Sequence, residues 1–141
     1  MMSIKSLEIG IYTKLVDIAT STGKRVNIYR ESEGIGNTVT DNIIEACTFM
    51  IAVKSGSFET NEVNHTIDVL GVGNRTDLLT FLDLFVTGLK NFSVMDYKVN
   101  PTSYEWESKT PDQNYRSLTL RLIAISDIAV STTQHPFLIC N

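Results

Sequence analysis

Between Ser3 and Ser21 the apolar positions Ile4, Leu7, Ile11, Leu15 and Ile18 recur at steps of three and four, which places them on one face of a helix. Ser3 is a suitable N-cap, Gly23 a suitable C-terminal stop, and Lys5 and Lys14 fall off the stripe. The same periodicity returns more strongly over Asn74–Lys90. There Leu78, Phe81, Leu82, Phe85 and Leu89 form a stripe widened by Leu79 and Val86. Asn74 or Thr76 caps this helix, Asp77 suits the positive end of its dipole, and Lys90 suits the negative end. Faces this wide need a sheet or another subunit to cover them.

The remaining segments read as strands. Arg25–Arg30 alternates, with Val26 and Ile28 on one side. Ala46–Val53 is a continuous apolar run of the length of a strand covered on both faces. Lys54–Asn64 is polar and turn-rich. His65–Val72 then sends Ile67 and Val69 one way, Asp68 and Leu70 the other. After the second helix come Phe92–Val99, a turn at Asn100-Pro101-Thr102, Ser103–Glu107, a turn over 110–114, and Tyr115–Ile125. In that last strand Leu118, Leu120, Leu122 and Ala124 alternate with Ser117, Thr119, Arg121 and Ile123. Pro136–Cys140 is assigned to no element. The order α-β-β-β-α-β-β-β, with no sequence repeat and no linker, predicts a single α+β domain over residues 1–141: a mainly antiparallel sheet of about five to six strands with two principal helices packed on it.

Composition narrows the function classes. The chain has 141 residues, 43% apolar, long enough to bury one core without staples. Twelve basic residues against sixteen acidic give a net charge of −4, which argues against binding through nucleic-acid phosphates. No apolar run has the length of a membrane span. Met1–Gly10 lacks the pattern of a signal peptide, so the sequons at Asn64, Asn74 and Asn91 read as chance matches and the expected setting is reducing. Cys47 and Cys140 have neither a metal spacing nor that of a disulfide framework.

Candidate chemistry is sparse. Gly71-Val72-Gly73 sits between a strand and a helix start, where backbone N–H groups can face an anion. Position 76 is Thr76 rather than glycine, and no Gly-Lys-Ser/Thr follows, so an ordinary tight turn is preferred. Gly34-Ile35-Gly36 is weaker still. His65 and Asp68 fall on opposite faces of one strand and cannot share a metal, and His135 stands alone. Cys47 reads as a buried small hydrophobe rather than a nucleophile. Glu105 and Glu107 share a strand face but flank a polar turn, and Tyr104 and Trp106, without a basic stripe, read as sheet packing rather than base-stacking residues. The expectation is a protein that is not an enzyme and uses no metal or other cofactor.

The layout carried by Ile4–Ile18, Phe49–Val53, Asn64–Lys90 and Tyr115–Ser126 resembles the tail terminator and tail completion proteins of long-tailed bacteriophages, the minor tail protein U type. Most familiar are His65-Thr66-Ile67-Asp68-Val69 followed by the helix Thr76–Leu89, and a last strand opening Tyr115-Arg116. Unlike many relatives, this chain has Glu45-Ala46-Cys47 where they carry a proline and an aromatic. The resemblance implies a homo-oligomeric ring, usually a hexamer, in the virion at the head–tail junction. Such a ring caps the tail tube protein and meets the head connector, with no membrane, no specific nucleic-acid binding, and a lumen through which the genome passes. The alternatives are another neck or head-closure protein, or a small α+β ligand-binding module or enzyme. Glu31–Glu45, a long connection, is the expected assembly interface, with Glu31, Glu33, Ile35, Asn37 and Val39 as its contact residues.

Overall fold

The computed structural model describes residues 4–33, 47–59, 61–107 and 115–126. Among these residues two α-helices lie against one six-stranded sheet, an α+β arrangement. Helix α1 runs Ile4–Thr20 and buries Leu7, Ile11 and Leu15 completely. It unwinds through Thr22 N donating to Ala19 O (3.1 Å) and Gly23 N to Thr20 O (3.2 Å), and Gly23 takes the left-handed conformation (φ 71°) that ends helices. Strand β1, Val26–Arg30, leads into a one-turn 3-10 helix at Glu31–Glu33. Strands β2, Cys47–Phe58, and β3, Val63–Asn74, form a long antiparallel pair.

Helix α2, Arg75–Leu89, starts at once. The Asn74 side chain accepts hydrogen bonds from Thr76 N (2.9 Å) and Asp77 N (3.4 Å), satisfying two of the donors that a helix start leaves without partners. Strands β4, Phe92–Val94, β5, Tyr97–Glu107, and β6, Tyr115–Ser126, complete the chain.

The strands lie in the order β1-β2-β3-β6-β5-β4. Each half of the chain is a helix followed by three strands, and the two halves meet at the antiparallel β3–β6 seam in mirrored order. The sheet is mixed: β1 pairs with β2 in parallel, and every other pair is antiparallel. A parallel neighbour needs a connection of a dozen or more residues, and positions 31–46 supply it. The length of that segment thus has a topological cause.

Three boundaries differ from the sequence expectation. β2 continues through the polar Lys54–Phe58 because β3 offers it a ladder, with a register shift between Val53 and Ser55. Phe92–Val99 is two strands joined at Met95–Asp96, with Met95 in a left-handed conformation (φ 50°). Asn100-Pro101-Thr102 is no turn. It lies inside β5, where a register shift between Pro101 and Ser103 absorbs the residue that proline prevents from pairing regularly.

Alternation within the strands separates two faces. Phe49, Ile51, Ile67, Val69, Leu120 and Leu122 point to the helices and are buried. Phe49 meets Phe81 and Phe85 edge-on, with ring centroids 5.6 and 5.0 Å away. The opposite face carries Asp68 and Arg121 at paired positions of the central seam.

Candidate functional site

Several of the described residues that sequence reasoning singled out for chemistry are engaged in packing, whereas Glu105 stands exposed on β5, and Gly34-Ile35-Gly36, His135 and Cys140 lie outside the described residues. Gly71-Val72-Gly73 is neither a phosphate loop nor a tight turn, because β3 runs on through Asn74. Glycine is needed there for space. A Cβ on Gly71 would come within 2.5 Å of Phe49 Cε1, and one on Gly73 within 2.9 Å of Cys47 Sγ. Cys47 itself is buried, and its thiol is pushed up to about 11 by desolvation and then by the Asp77 charge. A thiol held protonated is a poor nucleophile.

His65 is 1% exposed. Its Nε2 lies 3.2 Å from Tyr97 Oη, and the Phe58 ring meets it edge-on at 5.8 Å. Burial lowers the His65 pKa and raises that of Tyr97, so both stay neutral in a shared apolar setting. As expected from their spacing, His65 and Asp68 lie on opposite faces. Asp68 instead accepts from Arg121 Nε (2.9 Å) and Nη2 (3.2 Å), a two-pronged pair across the β3–β6 seam that raises the arginine pKa. Glu8 is the other buried carboxylate. It accepts from Ser32 Oγ at 2.7 Å and has Arg30 Nη1 at 3.5 Å, tying α1 to the end of β1. Among the described residues no three His, Cys, Asp or Glu side chains gather as a metal site would require, and no described helix is long and apolar enough to cross a membrane.

Of the expected assembly residues, Glu31 stands exposed on the 3-10 turn, and Glu33 closes that turn. Ile35, Asn37 and Val39 lie outside the described residues.

The surface feature that sequence reasoning missed lies elsewhere, between α2 and β5. Tyr104 is 56% exposed on the helix-side face of the sheet, and Leu79 is 39% exposed on α2. With Val86, Pro101 and the edge of Leu120 they line a groove of about 360 Å³, bordered by Asp83 and Thr87. At one end Arg75 lies over the Trp106 ring, 5.7 Å from its centroid. Tyr104 was expected to be sheet-face packing, but it stands more than half exposed beside α2, on one side of the groove they share. The groove adjoins an open strand edge. β4 pairs only with Tyr97–Val99, and the Asn100 side chain accepts from Asn91 N (2.8 Å), so among the described residues Ser103–Glu107 has no neighbour on its outer side. The signal in the sequence was Tyr104 and Trp106 alternating in a strand without a covering third helix.

No protein-family model and no curated protein matches the chain. Solved structures do. The type 4 fimbrial biogenesis protein PilO from Pseudomonas aeruginosa is similar with a TM-score of 0.53 at 11% identity, over 89% of this chain and 73% of that one. A structure of the core region of PilO from the type IV pilus system of the same organism matches with a TM-score of 0.38 at 18% identity, over 62% of this chain and 84% of that one. This corrects the resemblance to phage tail terminators, together with the tail-capping function and virion location it implied. Element order and helix amphipathicity, which carried that resemblance, do not fix which strands become neighbours. The fold is one shared with PilO.

Proposed function

We propose that this chain is a non-catalytic protein–protein assembly domain that acts through the α2–β5 face. The observation that carries the reading is the groove of Leu79, Val86, Pro101 and Tyr104, edged by Asp83, Thr87, Thr102 and Ser103, beside the stretch of β5 that has no outer neighbour among the described residues. Open edges and exposed apolar grooves are liabilities that folded proteins blunt unless a partner covers them. The use of His65, Cys47, Asp68 and Glu8 inside the fold supports the same reading, since those groups are committed to packing. A fimbrial biogenesis protein with this fold provides a precedent for an assembly role.

Sedimentation of the purified chain over a wide concentration range tests the reading. Reversible association is expected, and Leu79→Asp should weaken it at least tenfold with an unchanged melting temperature. Association that survives Leu79→Asp, or a chain that remains monomeric throughout, would refute the α2–β5 face as an assembly surface.

A further inference from the structure

We infer that His65 is a proton-sensitive latch: it holds the outer end of β2, Ser55–Phe58, onto β3, and acid releases that ribbon while the β3–β6 seam stays closed. The latch sits at the other end of the strands from Ser103–Glu107 and does not depend on the α2–β5 face.

The ribbon is the weakly held part of β2. β1 pairs with Cys47–Ile51 only, so among the described residues Ser55–Phe58 has a neighbour on one side. Its ladder to β3 is interrupted at Lys54, where the register shifts, and an extra residue of this kind lets one strand bend away from the other. Ser55, Gly56 and Phe58 are exposed. What fastens the ribbon beyond its ladder is the imidazole. The His65 ring lies so close against the Gly56 backbone that a Cβ on Gly56 would come within 2.5 Å of Nδ1. The Phe58 ring meets it edge-on, and the Tyr97 ring, with its centroid 5.4 Å away, closes another side.

This enclosure suits a neutral ring. Gly56 and Phe58 of β2, Tyr97 of β5 and Ala124, the register partner on β6, surround it, and among the described residues Tyr97 is the titratable side chain that faces it. Lys54, Glu59, Asp96 and Lys98 are exposed, Glu62 is half-buried ahead of β3, and Asp68 and Arg121 are paired on the opposite face. Burial is accordingly the cause that lowers the imidazole pKa. A proton on the ring brings a charge that no described carboxylate meets, so the charged ring must regain water. Parting β3 from β6 would break the seam from Val63 to Asn74, whereas swinging the ribbon about Lys54 releases Ser55–Phe58 alone and bares the ring directly.

Hydrogen exchange tests the latch, read as protection after the intrinsic chemical rate at each pH is removed. Steps from pH 7.5 to 5.5 stay above the ordinary carboxylate range, near roughly 4. Protection across Ser55–Phe58 should fall below about pH 6.5, by up to roughly tenfold per unit, the limit for one proton. It should stay below that of Ile67 and Leu120 throughout. His65→Gln, neutral at every pH, should remove the fall. Ribbon protection that ignores pH while that of Ile67 and Leu120 declines would show that only global unfolding bares the ring, and overturns the latch. Ribbon protection equal to theirs at every pH overturns it too. Gly56→Ala gives a second reading should His65→Gln not fold. Its Cβ displaces the ring, so the ribbon should exchange fast already at pH 7.5 and respond no further to acid. A Gly56→Ala chain with an unaltered pH response overturns the inference.

Discussion

At the scale of single residues, the alternation of strands was readable and the partners across strands were not. The sequence places His65 on the same face as Ile67 and Val69, yet nothing in it announces Tyr97, thirty-two positions later, as the hydroxyl beside its Nε2. That contact depends on β5 lying one strand beyond β6, a long-range fact. It has a measurable consequence. The unfolded imidazole titrates near 6.5, whereas burial lowers the folded value, with Tyr97 beside the ring and Asp96 the carboxylate nearest that tyrosine in the chain. Between those two values the unfolded chain binds the extra proton, so stability is fully present above about pH 6.5 and declines as the pH falls toward the folded value. Denaturant unfolding at pH 7.5 and in steps below 6.5 should show this decline, and His65→Gln should flatten it whatever its effect on absolute stability. An unchanged slope in the variant would place the dependence on carboxylates instead.

At the scale of elements, both helices and three of the four long strands, β2, β3 and β6, could be read from their apolar pattern, because each has apolar positions that must leave water. Of the short strands, β1 was legible as the alternating Arg25–Arg30, and β4 was not. Phe92–Val94 has no period of its own, and its turn uses Met95 in a left-handed conformation that glycine or asparagine normally signals. Pro101, the usual mark of a turn, is tolerated inside β5 because that strand is at the edge beyond β4. Helix α2 is the element whose start was legible to within two residues, with Asn74 or Thr76 as the cap, and the structure selects Asn74. Asn74 both ends β3 and caps α2, so removing its side chain leaves Thr76 N and Asp77 N without their acceptor. Asn74→Ala should cost about 1 kcal/mol of unfolding free energy, and Asn74→Asp should recover most of it. Equal stability of the alanine variant would mean that water replaces the cap at no cost.

At the scale of the whole molecule, the sheet order was the part that no local pattern revealed. The candidate site was hidden for the same reason. Among the described residues, α2 covers Tyr104 only in part, and β4, three residues long, leaves the outer side of Ser103–Glu107 without a neighbour. This arrangement grades stability from the centre outward. β3 pairs with β6 along its whole length, Val63 to Asn74, and with β2 on its other side, whereas β1 and β4 each have one neighbour among the described residues. Amides that open only with global unfolding belong to the most deeply paired strands. Hydrogen exchange should therefore be slowest at Ile67, Val69, Leu120 and Leu122 and fast along β1 and β4. Raising the protein concentration should leave that ranking intact while slowing exchange within Ser103–Glu107, because association through the α2–β5 face covers that edge. Slowest exchange in β1 or β4 would mean that the seam is not the stable centre of the fold. Exchange at Ser103–Glu107 that does not respond to concentration, in a chain that sedimentation finds associated, would move the contact away from the β5 edge.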